Sequence, residues 1–395
     1  MVRAHGKMLL LLSLYLSQGL PFGLFTQAMP VWMRQGGHSL GAIGLTNLLA
    51  LPWALKFLWS PMVDRSPLPR RAFILPLQCG AIVLLVAIAF MPPGALSIVL
   101  IAIVCTNLFA ATQDIATDAL AVDMLEPSER GWGNGIQVAG YRAGMMIGGG
   151  ALLIAFDRLG WSRTFLTAAA ILAVATIPVL LTASAPRRPA PPNTKVASAH
   201  LHVWFARPGA RAWLLLLVVY KVGDALGTGM VRPFLVDAGL TLADIGWLIG
   251  TVGSAMGLIG AILGGMLVIH LGRRTALVTF AALQTGTMIL YAVASVRGLD
   301  WAYVAVVTEH LSSGMATAAL FTAMMDVCRV GSEGVDYTVQ ASVVVIAQGL
   351  AAIASGFVAD ALGYPLYFTA SVVLCALAAA VAFRHSAPEP FALLR

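Results

Sequence analysis

Charge is what this sequence has least of: 10% of its 395 residues are Asp, Glu, Lys or Arg, against roughly 25% in an average soluble domain. A soluble protein needs charge to cover its surface, so this shortage excludes a soluble globular fold and calls for a lipid solvent. Cysteine is also rare. Cys79, Cys105, Cys328 and Cys375 lie within or at the ends of apolar runs and form no C-x-x-C pair, so they read as small apolar packers rather than redox or metal groups. The seven histidines are scattered, and only His200 and His202 lie close together, without nearby acidic ligands. No metal cluster or nucleophile with its base can be assembled from them, which argues against a polytopic membrane enzyme; no catalytic residue, metal or cofactor is expected. After Arg3 and Lys7 no small-residue cleavage site follows, so the first apolar run reads as a retained span.

What is present is hydrophobic sequence, 59% of the chain. Spanning the hydrocarbon takes about 20 apolar residues, and short loops bring this to roughly 33 per span, which allows about twelve spans. Twelve runs are found, at 8–30, 41–62, 72–92, 96–119, 133–155, 164–182, 212–235, 242–268, 275–296, 301–326, 337–359 and 362–383. The widest gap, 184–211, holds Pro186, Pro189, Pro191, Pro192 and several basic residues and reads as a linker. Within it Trp204 and Phe205 beside Arg207 read as plain linker or as a segment lying along the membrane surface. The expected fold is an all-α membrane protein of two six-helix halves, 1–183 and 212–395.

The basic residues give an orientation. With the N-terminus in the cytoplasm, sixteen of the 24 Lys and Arg fall on that side, five fall opposite (Arg34, Arg158, Arg163, Arg232, Arg297), and Lys56, Arg142 and Lys221 lie inside spans. Both termini are therefore expected in the cytoplasm. The same loops account for the net charge of +7, so no nucleic-acid partner is implied.

An internal repeat appears at an offset near 203. Asp157-Arg-Leu159-Gly160-Trp161 with Phe165 matches Asp360-Ala-Leu362-Gly363-Tyr364 with Phe368, each before the last span of a half. Ile43-Gly44 pairs with Ile245-Gly246, and Ser128-Glu129 with Ser332-Glu333. Two parallel six-helix repeats suit a transporter whose halves close alternately over a central site, the major facilitator architecture. Asp64-Arg65 with Arg70-Arg71, and Gly265-x-Leu267 with Gly272-Arg273-Arg274, resemble that superfamily's G-x-L-x-D-R-x-G-R-R loop. The first copy has Ser60 and Pro67 at glycine positions, and the second has Ile269 in place of the Asp. Only the first half is thus expected to form a charged latch. The gate residues expected are Lys56, Asp64, Arg65, Arg70, Arg71 and Asp118.

Gly140, Gly144 and Gly148 recur on span five, and Gly253, Gly257, Gly260 and Gly264 on span eight. Such faces let helices approach closely, and a rocking seam between spans five and eight is expected, with static packing as the plainer reading.

An ionisable group at the bilayer centre costs on the order of 2.5 to 3.5 kcal/mol, so each should face a cavity, a partner or a substrate. Lys221 and Asp224 are three apart on span seven and can neutralise each other. Arg142 demands an acidic partner or an anionic ligand. Asp114 and Asp118, at i and i+4 on span four, read either as a gate network with Arg65, Arg70 or Arg142 or as substrate contacts. Glu309, His310 and Asp114 are candidates for proton coupling, a structural His310 being equally open. Gln18, Phe25, Gln27, Trp53, Tyr141, Tyr220 and Gln348, with Arg142, Lys221 and Asp224, are candidates to line the substrate cavity, although aromatics on membrane helices more often pack.

Gly19-Leu20-Pro21, Leu51-Pro52 and Leu55-Lys56-Phe57-Leu58-Trp59-Ser60-Pro61 followed by Asp64-Arg65 resemble the AmpG-like permeases of the peptide/acetyl-coenzyme A transporter family. Gln113-Asp114-Ile115-Ala116-Thr117-Asp118, through Glu129-Arg130-Gly131 to Gly140-Tyr141-Arg142-Ala143-Gly144, extends the match. The resemblance implies proton-driven import of a small organic solute across the bacterial inner membrane by a monomeric permease. Family substrates include anhydro-muropeptides, acetyl-coenzyme A and siderophores. Muropeptide permeases usually have helices beyond twelve, for which this chain has no room, so a siderophore is the expected substrate and an anhydro-muropeptide the alternative.

Overall fold

The computed structural model describes residues 4–25, 29, 49, 51–92, 94–182, 204–207, 209–240 and 242–385. These residues are almost entirely helical, and the helices follow the apolar runs. Span one is α1 (Ala4–Gly23). The described part of span two is α2 (Leu51–Leu55), a 3-10 turn (Lys56–Leu58) and α3 (Ser60–Arg65). Spans three to six are α4 (Arg70–Phe90), α5 (Leu96–Met124), α6 (Arg130–Met145) and α7 (Leu152–Leu181). The second half follows with α8 (Ala210–Gly229), α9 (Val231–Asp237), α10 (Leu242–Ile245), α11 (Ser254–Leu271), α12 (Arg273–Arg297), α13 (Leu299–Asp326) and α14 (Glu333–His385). Among the described residues eight helices are long and apolar enough to cross a membrane. Gln27 and nearly all of the expected linker lie outside the described residues.

The repeat is visible in the backbone. Gly160 breaks α7 at φ +73° and Gly363 breaks α14 at φ +69°. Both are in the left-handed region that a side chain disfavours, which explains why the glycine of each D-x-L-G copy sits there. Behind each break the matched aromatic, Phe165 or Phe368, is buried. Two π-helical turns, Met146–Ala151 after α6 and Gly246–Gly253 before α11, fall in the glycine-rich stretches, as expected where side chains no longer hold the regular helical register.

Contacts divide the chain into two compact units. The first comprises Met1–Leu125, Gly140–His200 and Arg329–Thr338; the second comprises Glu126–Ala139, Leu201–Cys328 and Val339–Arg395. The opening turns of α6 therefore group with the second unit, and those of α14 with the first. The first unit is packed around Leu20, Phe25, Leu85, Ile88, Leu152 and Phe165, the second around Phe234, Leu235, Tyr291, Tyr367 and Phe368. Leu9, Phe90, Val296, Phe357 and Phe383 are exposed, as a lipid-facing exterior requires.

Candidate functional site

In the first unit the polar residues of three spans converge. Lys56 reaches inward and bonds Asp114, with Asp118 Oδ2 3.6 Å away. Tyr15 on α1 donates to Asp118 at 2.8 Å. All four side chains are buried, Lys56 to 3% exposure. Removing such charges from water costs several kcal/mol per ion, so the cluster persists only because its members satisfy one another. The i, i+4 spacing of Asp114 and Asp118 puts both on the α5 face that meets Lys56. Lys56 is thus a partner of the acidic pair that the gate alternative, which named Arg65, Arg70 or Arg142, had not included. Lys56 and Asp118, expected at a gate, are held in this buried network.

One helical turn along α1, Gln18 is fully buried, and its side-chain amide has no hydrogen-bond partner among the described residues. The same holds for the indole Nε1 of Trp53. Phe22 on α1 contacts Trp53 edge-on at 5.4 Å and Tyr141 at 5.8 Å between ring centroids. Trp53 and Tyr141 are thus tied to Phe22 in one aromatic cluster, and Gln18 lies one turn before Phe22 on the same helix. Phe25 instead lies in the apolar core of the unit, which corrects its assignment to the cavity. Arg142 is half-buried and engaged with its surroundings.

The second unit has a cluster of its own. Lys221 donates to Thr317 Oγ1 at 2.9 Å and lies 3.6 Å from Asp224 Oδ2, which Ser313 also approaches at 3.3 Å. Glu309 Oε2 is 2.7 Å from His310 Nδ1, which is also 3.0 Å from the carbonyl of Val306. The carbonyl of Val306 can only accept, so a hydrogen bond to it takes the proton on Nδ1. A Cβ on Gly253 would come within 2.8 Å of the His310 ring; the glycine makes room for the imidazole. Tyr220 is buried and donates to the carbonyl of Leu277 at 3.1 Å, so it ties α8 to α12 instead of facing a cavity. Gln348 is half-buried on α14.

The loop motifs form two related charge clusters. In the first, Arg70 lies 2.7 Å from Asp64, 3.5 Å from Asp123 and 3.4 Å from Glu333, while Asp64 accepts the backbone N–H of Gly334 (3.2 Å) and Val335 (2.6 Å). A carboxylate there satisfies the unpaired N–H groups and the positive dipole end of α14. In the second, Asp326 receives Arg273 and Arg130, each at 2.8 Å. Arg70 and Arg273, Asp123 and Asp326, and Arg130 and Glu333 each correspond at an offset of 203; Arg130 and Glu333 each open a helix, so the Ser-Glu pairing read from the sequence, at 204, is one residue out of this register. Arg273 and Asp326 of the second half thus join Arg130 in a charge cluster where none was expected, with the sign at one position inverted. Ile269 lies against Gly131 as Asp64 lies against Gly334.

Arg71 is no part of either cluster. It donates to the carbonyls of Leu180 and Thr182 and closes the end of α7, as Arg274 does to Phe383. Arg65 is exposed.

The glycine stripes also pack differently from expectation. A side chain on Gly140, Gly144 or Gly148 would meet Leu12, Leu16 or Leu20 of α1, and those on Gly253, Gly260 and Gly264 would meet His310, Leu311 and Met315 of α13; Gly257 lies against Gly314. Close approach between spans five and eight is made by Gly131 and Gly135 against Gly265 and Ala261. Sequence reasoning missed Tyr15, Asp123, Arg130, Thr317, Asp326 and Glu333 as site members; for four of these the repeat offset was the available signal.

The Major Facilitator Superfamily family model matches residues 11–341, and the chain belongs to that superfamily. Within it the chain is an AmpG-like transporter. It is 31% identical over 375 residues to the protein named anhydromuropeptide permease of Escherichia coli K12, covering 92% of this chain and 76% of that protein. It is 24% identical over 381 residues to a Rickettsia felis transporter named AmpG 4, covering 90% and 91%. Among solved structures it resembles the human organic anion transporter MFSD10 (TM-score 0.73, 14% identity, 96% of this chain and 98% of that one). It also resembles FucP in the outward conformation (TM-score 0.71, 14% identity, 96% and 97%). These last two bear on the fold alone, and agree with the all-helical architecture.

Proposed function

We propose that this protein is a proton-coupled importer of anhydro-muropeptides. The observation that carries the reading is the match to the Escherichia coli anhydromuropeptide permease along 92% of the chain. It favours a muropeptide over the siderophore that the resemblance first suggested. The aromatic cluster of Phe22, Trp53 and Tyr141, with Gln18 one turn before Phe22, supports it: ring faces suit the apolar faces of a sugar, and the unsatisfied amide and indole N–H suit its hydroxyls.

Proton coupling is assigned to Asp114, within the Lys56 and Asp118 network, and to Glu309 with His310. Buried carboxylates facing basic partners can exchange a proton as access alternates. Arg142 and Lys221 are the cations assigned to the peptide carboxylates, with Asp224 neutralising Lys221 where no substrate is bound. The Asp64 and Arg70 cluster gates the cytoplasmic end. The excess of basic residues in the loops at that end, sixteen against five, supports cytoplasmic termini in a bacterial inner membrane. A monomer suffices, since both repeats are in one chain.

The test offers labelled anhydro-muropeptide and labelled ferric siderophore to cells that lack their own muropeptide uptake and express this protein. Muropeptide accumulation that collapses with a protonophore is expected. Uptake of the siderophore alone would overturn the substrate assignment.

A further inference from the structure

An apolar groove of about 590 Å³ lies in the second unit, lined by Ile289, Ala292, Val296 and Arg297 of α12, Trp301 of α13 and Val372 of α14. It is unrelated to the interior clusters. The α12 residues recur at three- and four-residue intervals, so they form one stripe along the helix. From Ile289 to Arg297 that stripe is about 12 Å long, most of the roughly 15 Å that one leaflet contributes to the hydrocarbon.

The two ends of the groove differ in chemistry. Ala292 is the smallest side chain in the lining, and Ile289, Val293, Val296 and Val372 make the wall apolar away from Arg297. Gly298, at φ +105°, ends α12 directly after Arg297, so the arginine is the last residue of the stripe. Arg297 is exposed and has no ion pair or hydrogen bond among the described residues. Trp301 is 43% exposed beside it, as an indole at the membrane–water boundary would be.

We propose that this groove binds an anionic phospholipid, with one acyl chain lying along the Ile289 to Val296 stripe and the phosphodiester on Arg297. An acyl chain is the solvent on this face, and an arginine whose charge is uncompensated at the top selects among lipids by headgroup. A planar guanidinium can give a phosphate two parallel hydrogen bonds; in phosphatidylethanolamine the headgroup's own ammonium already compensates that phosphate, whereas phosphatidylglycerol keeps its net negative charge for the arginine.

The full-length protein is purified in detergent and exposed to equimolar palmitoyl-oleoyl phosphatidylglycerol and phosphatidylethanolamine, and retained lipid is read by native mass spectrometry. Phosphatidylglycerol is expected in excess. Arg297→Gln should lower its retention about fivefold, the factor one basic side chain contributes at an anionic surface, and leave phosphatidylethanolamine unchanged. Ala292→Trp should put a bulky side chain into the lining and remove bound phosphatidylglycerol with Arg297 intact; if that variant does not fold, Arg297→Gln carries the test alone. Dihexanoyl phosphatidylglycerol and inorganic phosphate should compete poorly. Equal retention of both lipids by the unmodified protein, full retention by Arg297→Gln, or an equal loss on replacing the exposed Arg163 outside the groove would overturn the proposal. So would displacement by inorganic phosphate.

Discussion

Arg70 and Arg273 hold equivalent places in the two repeats, and each reaches the carboxylate at the end of the fourth helix of its own repeat: Asp123 at 3.5 Å and Asp326 at 2.8 Å. What joins them differs in sign. Glu333 adds an acid to the first cluster, and at the matching position Arg130 adds a base to the second. The first cluster gathers three acids around one arginine and a helix N-terminus, the second two arginines around one acid.

Asp326 is the carboxylate that both arginines of the second cluster share, beside backbone carbonyls of Pro127 for Arg273 and Met325 for Arg130. Asp326→Asn leaves Arg130 and Arg273 facing each other and should lower stability. Adding Arg130→Gln should recover part of the loss, with a coupling of about 0.5 to 3 kcal/mol in a double-mutant cycle of thermal unfolding in detergent. Additive effects would show that the two residues do not interact.

Lys56 compensates two buried carboxylates. Lys56→Met should destabilise the fold by about 3 to 5 kcal/mol, because Asp114 and Asp118 lose their cation. The double variant Lys56→Met with Asp114→Leu should regain much of that stability and remain inactive in uptake. Normal uptake by the double variant would remove the network from the transport cycle.

Tyr15→Phe deletes only the donor to Asp118. A hydrogen bond to a charged group contributes about 1.5 to 3 kcal/mol, so a stability loss of that size is expected with the helix content, read by circular dichroism, unchanged.

Gly148→Leu should force α1 and α6 apart at a cost of about 1 to 3 kcal/mol or more, since its missing side chain is replaced by the backbone of Leu20. Gly150→Ala, two residues on, meets nothing within 4 Å and should behave as the unmodified protein in the same melting assay.

The helices and the repeat were legible because they are local or periodic properties. Apolar runs mark helices wherever lipid is the solvent, and Gly160 and Gly363 advertise a break through a shared motif. Pairings between helices were not legible. The spacing of Asp114 and Asp118 fixes a face, yet nothing in it selects Lys56 on span two over Arg70 in the following loop. The glycine stripes show that a close neighbour exists without saying that α1, not span eight, is the neighbour of Gly144. The second cluster was hidden by Ile269, which breaks the loop signature; the charges that build it, Arg130 and Asp326, lie outside that signature.

The central claim is proton-driven transport of a muropeptide through a pathway that uses the Asp114 network. Its most direct test places the purified protein in liposomes and follows labelled anhydro-muropeptide under an imposed proton gradient, with Asp114→Asn in parallel. The account predicts accumulation by the unmodified protein that collapses with a protonophore and is absent in Asp114→Asn protein that folds normally. Accumulation indifferent to the gradient, or equal in the Asp114→Asn variant, would contradict it.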